Sequence, residues 1–498
     1  MENRSHFLSP GGDPLLAAVS RRQFLDRVGG GFTGAVAAAL LGQQAFANDH
    51  PPRLVIDPVH PLRERAPHFA PKAKRVIFLF MYGGPSQVDT FDYKPVLQSL
   101  HGKPVPDSIK QLIAKDRVQG VLASSNDSLK ASPFKFQQHG QSGLWVSELY
   151  GGLAQHADEL CFIRSLHCES SNHAPATFQM NTGEVLNGKP SMGSWVTYGL
   201  GTENENLPGF VLLFEVGGFG GAANWGSAFL PAAFQGTRFR DQGIPVLDLK
   251  PPDEVADVQR STLDLLRSLN LKHQAQRKGL LDLDARIASY ELAYRMQTEA
   301  VDVGNLTDET AETLAMYGVD GSETQNAKFA RKCLTARRLV EKGVRFVQLY
   351  NGYDDLGWDA HSGLERNHRE HAAQTDRPIT ALLTDLKRRG LLDETLVVWA
   401  GEFGRSPMSQ GDGGRNHNPY GFTAWLAGGG VKGGQAIGET DEIGLRAVVE
   451  PHSVKDFHAT ILAALGLRSD DLSFEHNGRP ERLTGVAASA KVIPGVFA

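Results

Sequence analysis

Asp359-Ala360-His361 sets a carboxylate and an imidazole one residue apart, so in extended backbone both side chains point to one side and can grip a single cation. Glu402, His417, His173 and the Asp89/Asp92 pair have the same character, and each lies just beyond an apolar run that reads as a strand. Imidazoles mixed with carboxylates suit zinc, manganese or iron, whereas calcium prefers oxygen alone. Taken singly, each has a plainer reading: His173 and His417 as loop histidines bonded to backbone, and Asp359 with His361 as an incidental pair. As a set they predict a centre for a divalent transition metal, zinc or manganese, held by His173, Asp359, His361, Glu402, His417 and Asp89.

Arg405 and Arg415 bracket the same loop as Glu402 and His417. A guanidinium fork suits the paired oxygens of a phosphate, sulfate or carboxylate, and the competing role is a salt bridge to Asp412 or Glu402. His458, beside Asp456, reads as a core histidine, while His368 and His371 are placed to line a pocket. Gly428-Gly429-Gly430 and Gly433-Gly434 form no phosphate loop, because no Lys-Ser/Thr pair opens a helix after them.

These residues need a scaffold that gathers distant stretches at one rim. Arg75 to Met81, Cys161 to Leu166, Gly209 to Glu215, Val344 to Tyr350 and Thr395 to Ala400 are short apolar runs that read as buried strands, with a further run from Gly421 to Ala427. Helical patterns alternate with them, which predicts an α/β fold around a mostly parallel sheet covered on both faces. Ligands in such sheets collect beyond the carboxyl ends of the strands, where each candidate falls. Residues 401–420, rich in Gly, Ser, Asn and Pro, read as a loop. A helix is expected from Ala176, just past Pro175, and another from Ser453, as N-cap, to Leu465 before Gly466. Residues 253–342 read as a helical elaboration with basic charge on a solvated face.

With 498 residues, 41% hydrophobic and 21% charged, the chain is globular, and a net charge of -5 gives no footprint for nucleic acid. Ser20-Arg21-Arg22-Gln23-Phe24-Leu25 is a twin-arginine pattern, followed by a weakly apolar run and Ala45-Phe46-Ala47. Residues 1–47 are therefore expected to be a signal peptide, 48–74 a lead-in and 75–498 the functional domain, exported by the twin-arginine machinery to the periplasm or beyond. No other run reaches the length of a membrane span, so no stable transmembrane anchor is expected. Three cysteines, Cys161, Cys168 and Cys333, are too few for a disulfide scaffold.

The motifs RRQFL, GGPSQVDTFD, HAPATFQMNTGE, GWDAH, GEFGRSP and NHNPYGFTAWLAGGGVKGG together resemble a bacterial family known as domain of unknown function fifteen-oh-one, a sulfatase-like branch of the alkaline phosphatase and sulfatase superfamily. The resemblance implies a mixed, mostly parallel sheet between helices and a metal site that hydrolyses phosphate or sulfate esters of small molecules or glycans. It departs from the superfamily where Tyr82 stands at the end of the first strand and Glu402-Phe403 replaces Asp-His. Alignment through Pro175 and Thr182-Gly183 puts His173 at the nucleophile position, which excludes formylglycine. His173, with Arg405 and Arg415, is then the expected catalytic set: His173 either attacks directly or holds a metal whose water attacks, and the second route is preferred. Ser171 and Thr177 are the remaining candidate nucleophiles. The rival reading is a non-catalytic metal- or glycan-binding protein on the same fold.

Overall fold

The computed structural model describes residues 54, 56–57, 60–114, 128–214, 220–240, 245–246, 249, 257–276, 281–352, 357–485 and 490–498. The twin-arginine pattern and the expected signal segment lie outside these residues. Eleven strands matter to the site: β1 (Arg75–Met81), β2 (Leu160–His167), β3 (Phe210–Leu213), β4 (Thr237–Phe239), β5 (Phe346–Asn351), β6 (Thr395–Ala400), β7 (Gly404–Gln410), β8 (Gly414–Asn418), β9 (Phe422–Ala427), β10 (Gln435–Ile437) and β11 (His452–Ser453). Seven helices accompany them: α1 (His173–Thr182), α2 (Met192–Leu200), α3 (Gln259–Gln276), α4 (Leu281–Gly304), α5 (Gln325–Glu341), α6 (Leu364–Arg388) and α7 (Val454–Ala464).

Nine strands build one sheet in the order β10-β2-β9-β6-β1-β5-β3-β4, with β11 added on β2. All pairings are parallel except those of β9, which runs against both β2 and β6. The sheet is thus mixed and mostly parallel. Its strands are apolar because both faces are covered. Ile77, Leu79, Met81, Val347, Leu349, Val397 and Trp399 alternate onto one face and pack with Leu334, Leu339, Leu382 and Leu386 of α5 and α6. The other face carries Phe80 against Tyr350 and Phe210 against Phe346.

Three local expectations change. Helix α5 is not a solvated elaboration: Arg331, Lys332 and Arg337 are buried, and Arg337 meets Glu309 at 2.6 Å and Asp385 at 2.9 Å. Its charges look like a surface stripe in sequence because their acidic partners lie far along the chain. Residues 401–420 are no loop, since β7 and β8 pair as an antiparallel hairpin. Helix α1 opens at His173 with Pro175 inside its first turn, where N–H groups have no intrahelical acceptor and proline removes nothing. Helix α7 begins on the Ser453 cap, which forms a capping box with Asp456. Cys161, Cys168 and Cys333 are buried free thiols. Among the described residues, no helix is long and apolar enough to cross a membrane.

Candidate metal centre

Parallel strands deliver their carboxyl ends to one rim, and β9, running the other way, delivers its amino end there. His173 therefore arrives beyond β2, Asp359 and His361 beyond β5, Glu402 beyond β6, and His417 from the hairpin that precedes β9. Two glycines let these segments close up. Gly357 has φ +55°, and a Cβ there would lie 2.2 Å from the Tyr82 carbonyl oxygen. At Gly414 a Cβ would lie 2.0 Å from the carbonyl carbon of His361, so only glycine admits the hairpin this close.

The ligating atoms of His173, Asp359, His361 and His417 all lie within 4.8 Å of one another. Asp359 is the hub. Its Oδ1 is 3.0 Å from His361 Nε2 and 3.2 Å from His417 Nε2, and its Oδ2 is 3.2 Å from His173 Nε2. The Nε2 atoms of His361 and His417 are 2.9 Å apart. The opposite nitrogen of each ring is already engaged: His173 Nδ1 with Glu402 Oε1 at 2.6 Å, His361 Nδ1 with Gln410 Oε1 at 2.5 Å, and His417 Nδ1 with the Ser171 carbonyl at 2.6 Å. Because those partners are acceptors, Nδ1 carries the proton on each neutral ring and Nε2 presents its lone pair. Three lone pairs thus converge on one carboxylate, an arrangement that repels itself until a proton or a cation stands among them.

That is the test of fit for a metal. Metal-bound histidines give their second N–H to a carboxylate or carbonyl, as all three rings do here. A tetrahedral zinc with bonds of about 2.0–2.1 Å has ligand–ligand edges of about 3.3 Å, near the four contacts of 2.9, 3.0, 3.2 and 3.2 Å within a cluster whose ligating atoms all lie inside 4.8 Å. Three nitrogens and one oxygen are a zinc-type donor set. His361 is the open member, its side chain 40% exposed, whereas His173 is 9% exposed. Phe403 walls the closed side, its ring centroid 4.6 Å from that of His417 and 4.9 Å from that of His173.

Electrostatics match this geometry. Burial opposes charge on His173, but hydrogen bonds to Asp359 and Glu402 outweigh it and raise the imidazole to about 8. Burial lowers His417 to about 4 despite the Asp359 carboxylate beside it. Burial would raise Asp359, yet the three histidine rings gathered on it and the nearby Arg405 charge drive it far below the ordinary carboxylate range.

The remaining predicted residues are placed differently. Glu402, fully buried, reaches Nδ1 of His173 and accepts the Gly83 N–H at 3.0 and 3.2 Å, so it stands behind the His173 ring rather than among the converging atoms. Asp89 is also outside the cluster: Arg415 holds it through Nε at 2.6 Å and Nη2 at 3.1 Å, with both side chains fully buried. Neither arginine is turned to hold an anion. Arg415 gives its other donors to the carbonyls of Lys130, Ala131 and Ser406, and Arg405 bonds Asp359 at 2.6 Å and the carbonyls of Gly83, Gly84 and Arg415. Guanidinium donors buried in protein must be satisfied by protein, which is why these two support carboxylates. Asp92 pairs with Lys94 and Thr440. His368 accepts the Ser86 N–H and is lowered by burial to about 3, and His458 bonds the Met180 carbonyl. His371 packs on Trp358. Gln410 and the Ser171 carbonyl were not foreseen. The Gly411-Asp412-Gly413 turn would have shown that Gln410 ends a hairpin strand.

Among solved structures, the chain is similar to a sulfatase from Pseudoalteromonas sp., with 12% identity over 84% of this chain and 73% of that one and a TM-score of 0.34. It is similar to alkaline phosphatase from the Antarctic bacterium TAB5, with 12% identity, 80% and 99% coverage and a TM-score of 0.33. It is also similar to a lipoteichoic acid synthase from Listeria monocytogenes, with 10% identity, 83% and 78% coverage and a TM-score of 0.34. No curated protein matches the chain. The family model described as "Protein of unknown function (DUF1501)" matches residues 73–497, and the chain belongs to that family.

Proposed function

We propose that the chain is an exported, metal-dependent hydrolase of phosphate or sulfate esters, with His173, Asp359, His361 and His417 as the ligands of one divalent cation, zinc before manganese. The observation that supports this reading best is the shared tautomer: three Nδ1 atoms fixed by Glu402, Gln410 and Ser171, and three Nε2 atoms aimed at Asp359. A cation held there supplies Lewis-acid polarisation and a water acidified to about pKa 7. The chain's own groups do the rest. Arg405 fixes the Asp359 carboxylate, Glu402 fixes the His173 ring, and Phe403 excludes water from the closed side. A small-molecule or glycan ester reaches the centre from the side of His361. Residues 1–47 act as the twin-arginine signal, so exchanging Arg21 and Arg22 for lysine should leave the chain in the cytoplasm.

The direct test is metal content by plasma mass spectrometry, together with turnover of a panel of phosphorylated and sulfated esters. Bound zinc or manganese that is lost in His417→Ala, with hydrolysis that stops on chelation, supports the reading. A metal-replete preparation without bound transition metal refutes it. One observation favours the non-catalytic alternative: Arg405 and Arg415, the two arginines expected to hold the ester anion, direct their donors to protein carbonyls and to Asp359 and Asp89 instead. Tight metal binding without turnover of any ester would assign the chain to that reading.

A further inference from the structure

A cavity of about 570 Å³, within the range of small-molecule sites, lies between helices α3 and α4 and the amino ends of the sheet strands. Its walls include Pro208 just ahead of β3, Gly236 just ahead of β4, and Leu62. The Leu62 carbonyl accepts the Thr202 N–H, and Thr202 Oγ1 reaches the Gly343 carbonyl near the start of β5. The metal-centre residues follow the carboxyl ends instead, so the six residues of β5, about 20 Å of extended chain, separate the two rims. Gln259, Leu263 and Arg267, four residues apart on one face of α3, line the cavity from the helix side. Leu62, Leu249 and Met296 are the buried apolar part of the lining.

Charge in this lining is unbalanced. The two Glu291 carboxylate oxygens each meet Arg260 at 3.3 Å, and Glu205 stands 3.7 Å from His60. Arg295 donates through Nε to the Glu205 carbonyl at 3.1 Å. Arg267, by contrast, has no hydrogen-bond or ion-pair partner among the described residues. A guanidinium stays charged at any physiological pH, so an anion entering the cavity meets a donor fork that no carboxylate of the chain occupies. Helix α3 also lacks support on this side: among the described residues, its polar contacts with the rest of the chain are those of Arg260, to Glu291 and over the Tyr294 ring. We propose that the cavity is a second ligand site, remote from the metal centre, for an amphipathic organic anion. Arg267 holds its carboxylate, sulfate or phosphate head, and its aliphatic or aromatic body packs on Leu62, Leu263 and Met296, which fastens α3 to the domain.

Isothermal titration calorimetry of the full chain tests this, with octanoate as the probe and octanol as its uncharged counterpart. The expected result is one equivalent of octanoate bound, with octanol about tenfold weaker. Arg267→Gln should weaken octanoate about tenfold and leave octanol unchanged, and because Arg267 is exposed the variant should keep the wild-type melting temperature. Ala233→Trp, which fills the cavity from its wall, should abolish binding of both probes, while His417→Ala should bind octanoate as the wild type does. Hydrogen exchange at the amides of α3 should slow when octanoate is present. No saturable binding, equal affinity for the two probes, or undiminished binding by Ala233→Trp overturns the proposal. Binding lost in His417→Ala also overturns it and moves the anion to the metal centre. Binding lost in Leu265→Ser/Leu269→Ser but kept in Ala233→Trp overturns it too and moves the anion to the exposed leucines of α3.

Discussion

Glu402→Gln separates a supporting carboxylate from a metal ligand. The side chain is fully buried, receives the His173 Nδ1 proton at 2.6 Å and caps the Gly83 N–H. Glutamine keeps the volume and one acceptor but loses the charge, and its amide nitrogen cannot accept from Gly83. Exchanging a charge-assisted hydrogen bond for a neutral one costs about 1–1.5 kcal/mol, and leaving a buried N–H poorly satisfied adds about 1 kcal/mol. The metal dissociation constant should therefore rise about 10- to 100-fold, which is also the usual scale for losing a group that orients a ligand. Competition with a chelator of known affinity measures it, and one equivalent of metal should still bind. An unchanged dissociation constant would refute the reasoning. Loss of binding as complete as in His417→Ala would show instead that Glu402 is itself a ligand, as its sequence position suggests.

Proton competition gives a second prediction. His173 must be neutral to ligate, and its value of about 8 in the metal-free protein means that affinity should fall up to about tenfold per unit as pH drops below 8. Chelator competition from pH 6 to 9 would expose the error as a flat profile. The same shift has a stability sign: because His173 is raised above its ordinary 6.5, its contribution is complete below pH 6.5 and is lost as pH rises through about 8. Metal-free protein should melt lower at pH 8.5 than at 6.5 while metal-loaded protein does not, and parallel curves would refute this. Breaking the fully buried pair with Asp89→Asn should cost about 3–5 kcal/mol of unfolding free energy in urea while metal stoichiometry holds at one. Removing the α7 cap with Ser453→Ala should cost about 1 kcal/mol and leave metal affinity alone.

Much of the scaffold is legible in the sequence because buried parallel strands announce themselves: the run Thr395 to Ala400 coincides with β6, and Arg75 to Met81 with β1. The hairpin β7–β8 was hidden because its strands, GRSPMSQ and GRNHN, are polar and bury side chains through hydrogen bonds rather than apolar alternation. For the site, residue type told which groups could bind a cation but not their depth from it. Asp359, Glu402 and Asp89 are equivalent on paper; in space one joins the converging atoms, one braces a histidine and one neutralises Arg415. Such distinctions are set by contacts over hundreds of residues, as with Glu402 and His173, 229 positions apart.

The reversal of β9 has a topological result. His417 comes from the hairpin that precedes β9 and meets His361, 56 positions earlier, where the Arg415 N–H to the Ala360 carbonyl and the Gly363 N–H to the Asp412 carbonyl already join the two segments. An ion seated there would act as a non-covalent clasp on the intervening helix, strand and hairpin, stabilising their folded arrangement by mass action. Cleavage of this segment by trypsin should accordingly slow when the ion is present, so susceptibility to the protease becomes a readout of occupancy that needs no substrate.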